Sequence, residues 1–102
     1  MKIEFKIKTN SGQMLSMVGN KHKITLSTNE VIWVATTKAN ALGFGKCWEV
    51  FDIMTGAIIV SFAEKEKTEK DALLKAKEKI DNVLEEKSCF YEDIIRRFYG
   101  KQ

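Results

Sequence analysis

Two thiols, Cys47 and Cys89, and one imidazole, His22, are the side chains of this sequence best equipped for nucleophilic or metal chemistry. A reactive cysteine needs a base or a helix N-terminus beside it to hold the thiolate. Cys47 falls instead in the alternating run Lys46-Cys47-Trp48-Glu49-Val50-Phe51-Asp52-Ile53, where a small apolar side chain buried in a sheet is the ordinary role. A structural zinc takes about four Cys or His ligands, usually in close pairs. Cys47, Cys89 and His22 offer neither the number nor the spacing, so the sequence predicts no metal and no cofactor. Gly43-Phe44-Gly45 lacks the downstream Lys-Ser/Thr and the strand-to-helix setting of a phosphate-cradling loop. Glu49 and Asp52, on either side of Val50-Phe51, are expected on the surface, not in an apolar setting that would raise a carboxyl for acid–base work. No catalytic residue is predicted, and the chain reads as a non-enzyme.

Binding chemistry is better represented. Phe44, between two glycines in the irregular stretch 38–46, has the form of an aromatic anchor on a mobile loop, with Lys46 beside it. Near the C-terminus, Arg96, Arg97 and Tyr99 are residue types enriched at interface hot spots. These five are the candidate partner-binding residues. A second set, Lys2, Lys6, Lys8, Lys21 and Lys23, comes from the more basic half of the chain. Residues 1–50 carry seven Lys against three acidic groups, whereas residues 51–102 carry ten basic and eleven acidic groups. With Trp33 and Trp48 as stacking surfaces, those lysines would suit a nucleic-acid face. The net charge of +3 is far below that of a dedicated nucleic-acid binder.

The elements that must position these groups follow from periodicity. Lys2 to Lys8 alternates strictly, with Ile3, Phe5 and Ile7 to one side and charges to the other, the pattern of a half-buried antiparallel strand. Met14 to Val18 and His22 to Ser27 read as two further strands, separated by a turn at Gly19-Asn20-Lys21. The β-branched and aromatic run from Val31 to Thr37 is a fourth, residues 46–53 a fifth, and Ala57 to Phe62 the last, returning after Met54-Thr55-Gly56. From Glu64 to Lys87 there is no Gly or Pro and Lys and Glu dominate. Thr68 can cap a helix there, with Asp71 at its third position, and Leu73, Ala76, Ile80, Val83 and Leu84 form the apolar stripe. Phe90, Ile94 and Phe98 resume the stripe after a break or kink expected at residues 87–89. The fold class is α+β: an antiparallel meander of five to six strands, then one long or two shorter C-terminal helices packed on one face.

At 102 residues, 44% hydrophobic and 30% charged, the chain has the size and composition of one domain spanning 1–102. Residues 1–63 form its sheet part and 68–99 its helical part. Two distant cysteines point to free thiols in a reducing compartment. No basic start with an apolar run behind it and no apolar stretch of about 20 residues is present, so a cytoplasmic protein with no membrane partner is expected.

Two resemblances add to this. Thr68-Glu69-Lys70-Asp71-Ala72, behind the hairpin that begins at Trp48, is similar to the hairpin and Thr-capped helix of HicB-like antitoxin domains, although the Pro-Asp and Gly-Asp-Thr elements of that family are absent. As a whole, the small Lys-rich α+β chain without an active site resembles phage and mobile-element inhibitors, including anti-CRISPR proteins of type II systems. That resemblance implies stoichiometric binding, as monomer or homodimer, to an RNA-guided nuclease or its guide-bound complex in a bacterial host cell. A lysine-studded face fits an acidic or nucleic-acid-bearing partner surface better than it fits DNA mimicry. A small DNA- or RNA-binding accessory protein is the alternative, and an antitoxin a third.

Overall fold

The computed structural model of the protein describes residues 1–8, 11–41 and 45–87. The first strand, β1 (Lys2–Lys8), keeps the alternation of its sequence: Phe5 is buried, Ile3 and Ile7 are partly so, and Lys2, Glu4 and Lys6 are exposed. It pairs antiparallel with the first half of β2 (Met14–Thr25), from Lys2↔Asn20 to Lys8↔Met14. The second half of β2 pairs with β3 (Val31–Ala41), from Asn20↔Thr36 to Thr25↔Val31. The turn expected at Gly19-Asn20-Lys21 is therefore not a turn. A single strand of 12 residues runs through it and changes partner there. Gly19 serves close packing instead, since a Cβ on it would lie 2.5 Å from the Thr36 carbonyl oxygen and 3.2 Å from the Phe5 ring.

β3 and β4 (Gly45–Asp52) form a long hairpin with register from Val34↔Asp52 to Ala41↔Gly45. Most of the stretch read as irregular is thus strand, because each side of the hairpin satisfies the other's backbone groups. β5 (Ile58–Val60) completes an antiparallel sheet of order β1-β2-β3-β4-β5. The turn before it depends on Asp52, which is buried and not on the surface as expected. Its Oδ2 accepts from the Thr55 amide and the Thr55 hydroxyl, both at 2.8 Å, so the carboxylate is drawn inward by the turn's own donors.

One helix, α1 (Glu69–Lys87), follows a short 3-10 turn at Phe62–Glu64. Thr68 caps it, accepting from the Asp71 amide at 3.1 Å. Thr68→Ala is expected to lower stability by about 1 kcal/mol, read as a shift in the urea midpoint with unchanged slope. The buried stripe is Ala72, Ala76, Ile80 and Leu84, with Leu73 and Val83 at its flanks. It packs on Ile24, Ile32, Val34, Val50 and Ile59 to form the larger core. The Lys79 ammonium fixes the far side by donating to the Ile59 carbonyl at 2.6 Å and to Glu64 at 2.9 Å. The expected break near residue 88 and the second helical stripe lie outside the described residues.

A smaller core occupies the opposite face of the sheet: Phe5, Ala35 and Phe51, with Ile3, Ile7, Met17 and Ile53 around them. Phe5 and Phe51 belong to strands that are not neighbours, yet their ring centroids are 5.5 Å apart. The sheet therefore coils, in the sense that strand twist accumulates, until β1 lies over β4. Gly56, at φ 74°, closes this coil by standing directly against the backbone of Lys6 and Ile7.

Candidate functional site

Strand alternation places Asn20, His22 and Thr36 on the helix-covered face, where α1 begins with Glu69. One oxygen of that carboxylate gathers all three. Glu69 Oε2 accepts from Thr36 Oγ1 at 2.6 Å and from Asn20 Nδ2 at 2.9 Å, and it lies 2.9 Å from His22 Nε2. Partial burial raises the Glu69 carboxyl, but the bonds from Thr36, Asn20 and His22, with the charge of His22, outweigh it and bring the carboxyl down to about 2. Such a carboxylate holds no proton to give at neutral pH and is a poor base. The Thr36 hydroxyl is turned toward the carboxylate and not the imidazole, so nothing prepares it as a nucleophile. The cluster acts as a clamp joining the start of α1 to β2 and β3.

Cys47 is fully buried, and Lys67 Nζ lies 3.7 Å from its Sγ. The thiol and the imidazole thus have different partners, one Lys67 and the other Glu69. Among the described residues, no three His, Cys, Asp or Glu side chains are grouped to hold a metal ion.

The lysines expected to share a nucleic-acid face do not share one. Register sets Lys2 beside Asn20 and Lys6 beside Ser16 on one side of the sheet, and Lys21 beside Ala35 and Lys23 beside Trp33 on the other. Lys8 pairs with Met14 through its backbone. The tryptophans are divided in the same way. Trp48 is partly buried against the larger core, with Lys38 Nζ 5.6 Å from its ring centroid and Lys46 two residues before it and exposed. Trp33 lies on the opposite face, 45% exposed, with Lys21 Nζ 4.6 Å from its ring centroid, Lys23 as its cross-strand neighbour and exposed Val31 two residues away. Phe44, Arg96, Arg97 and Tyr99 lie outside the described residues.

Reading the sequence alone missed both the clamp and the two cation–indole pairs. Asn20 and His22 alternate with Lys21 and Lys23, and a carboxylate directly follows the helix cap, but nothing in the sequence joins the two segments.

Among the described residues, the fold and this surface together define a class: an α+β domain with a coiled five-stranded antiparallel sheet, one helix on one face, and an exposed aromatic–lysine patch on the other. No described helix is long and apolar enough to cross a membrane. Comparison of the chain with protein-family models, with curated proteins and with solved structures finds no match.

Proposed function

We propose that this chain is a non-catalytic binding protein that acts by covering part of a nucleic-acid-handling partner, and that the partner is a type II RNA-guided nuclease or its guide-bound complex in the bacterial cytoplasm. The observation that carries the binding reading is Trp33, an indole 45% exposed on the sheet face that α1 leaves open, with Lys21 over it and Lys23 beside it. A large aromatic ringed by long amphipathic cations is the composition of an interface anchor. The choice of partner follows the resemblance to anti-CRISPR inhibitors. Lys46, Phe44, Arg96, Arg97 and Tyr99 belong to the proposal as further contacts.

The lysine on each indole favours a protein surface over stacked bases. A base stacking on the occupied side of Trp33 must displace Lys21 and forfeit its cation–π contact, whereas a protein carboxylate can engage the same ammonium where it stands. The split of the basic residues between two faces also leaves no single groove to track a phosphate backbone.

The test is DNA cleavage by several type II nucleases with the protein in excess. Inhibition is expected, weakened about tenfold or more by Trp33→Ala, with thermal melting confirming that the variant is folded. Full cleavage in every system overturns the assignment. A mobility shift of RNA or DNA at low salt that fades steeply as salt rises supports direct nucleic-acid binding instead.

A further inference from the structure

β2 has a partner on each side only as far as Lys21. There the Lys21 amide donates to the Met1 carbonyl at 2.7 Å, toward the β1 side. Alternate residues of a strand direct their N–H and C=O groups to the same edge. Lys23 and Thr25 therefore present theirs to the β1 side as well, while His22 and Ile24 bond β3. The Leu26 amide, donating to the Glu30 carbonyl at 2.8 Å on the β3 side, fixes the same parity from the other end. Among the described residues, no strand pairs with β2 on the β1 side beyond Lys21. The result is a short open edge carrying two donors and two acceptors of the main chain.

That edge forms one wall of a groove of about 430 Å³, with residues 23–25 of β2 on one side and Lys70, Leu73, Leu74 and Lys77 of α1 on the other. Leu74 is exposed and Leu73 only partly covered, so the helix wall offers apolar contact. Three lysines surround it, with Lys77 shared with Asp81. The one carboxylate in the lining, Glu69, is already engaged by Thr36, Asn20 and His22.

We propose that this groove takes an extended acidic segment of a partner protein, added as a strand to the open edge of β2 in line with β1. Main-chain bonds to Lys23 and Thr25 hold the segment. Alternate side chains of an added strand face opposite sides of the sheet, so apolar ones meet Leu73 and Leu74 while acidic ones lie toward Lys23, and Lys70 rewards a further carboxylate at the rim. This inference rests on the reading of the chain as a protein-binding module and names the chemistry of the segment it holds.

The probe is a blocked octapeptide alternating valine and glutamate, titrated into the full chain and followed by amide NMR, with a valine–lysine octapeptide as control. The expected result is shifts and slowed exchange at the Lys23 and Thr25 amides with the acidic peptide only. Thr25→Pro should weaken binding about tenfold or more, because it removes one outward amide and leaves the β3 ladder intact. Lys23→Glu combined with Lys70→Glu should do the same through charge alone, with thermal melting confirming that each variant is folded. Unmoved Lys23 and Thr25 amides at millimolar peptide overturn the proposal, as does equal binding of the lysine peptide. Concentration-dependent dimerisation that protects these amides assigns the edge to a second copy and also overturns it. If nuclease inhibition depends on Trp33 while Thr25→Pro leaves it unchanged, the edge is rejected and the binding function stands. If the wild-type protein inhibits no nuclease while the acidic peptide still binds at Lys23 and Thr25, the nuclease assignment falls and the edge site stands.

Discussion

Gly56→Ala is expected to destabilise the protein by about 3 kcal/mol or more, enough to leave a marginal domain largely unfolded on mild warming. Two costs combine. At φ 74° an L side chain sits in the left-handed region, at about 1–2 kcal/mol. The added Cβ would also meet the Lys6 carbonyl oxygen and lie 2.9 Å from the Ile7 Cα, both of them backbone atoms of a paired strand that has little room to yield. Gly12 provides the control. It has φ 87° but nothing within 4 Å of its Cβ position, so Gly12→Ala bears only the conformational cost. Gly19→Ala tests the other end of the coil, with 2.5 Å to the Thr36 carbonyl and an ordinary φ. Urea denaturation of the three variants reads the order directly. A Gly56→Ala midpoint no lower than that of Gly12→Ala would show that β1 does not close against the β4–β5 turn.

The same coil marks where local sequence stopped being informative. The alternation of β1 and the Thr68 cap are written within a few residues, and each element appears where those residues place it. Gly19-Asn20-Lys21 has the composition of a turn, but composition says nothing about a second strand arriving from Thr36 to pair with Asn20. Tertiary pairing overrode a local signal. The excess of lysine in the first half is a property of the count, and strand alternation then sends Lys2 and Lys6 to one face and Lys21 and Lys23 to the other. Asp52 looked like a surface carboxylate because its donors, on Thr55, become visible only once the turn is formed. The clamp was the least legible feature, since Glu69 lies 49 residues from Asn20 and nothing in either neighbourhood refers to the other.

The clamp should also make stability depend on acid. Glu69→Gln keeps the size of the side chain but removes the charge toward which Thr36, Asn20 and His22 converge. Bonds to a charged acceptor are worth more than neutral ones, so the substitution should cost about 2 kcal/mol at neutral pH, a figure already reduced for the 29% exposure of the side chain. The distinguishing mark is the pH profile. The folded-state carboxyl lies at about 2 against an ordinary 4.5, so the contribution of Glu69 is fully present above 4.5 and is lost as pH falls toward 2. Wild type and variant should therefore differ most at neutral pH and converge in acid. Asp81 does not blur the comparison. Burial raises its carboxyl, bonds from Lys77 and from the Ser27 amide lower it further than burial raises it, and the net depression is common to both proteins. Urea midpoints measured across that pH range decide the matter: parallel curves for wild type and Glu69→Gln would mean that the carboxylate merely sits among its neighbours, whereas a gap that closes in acid would show that its charge holds α1 to the sheet.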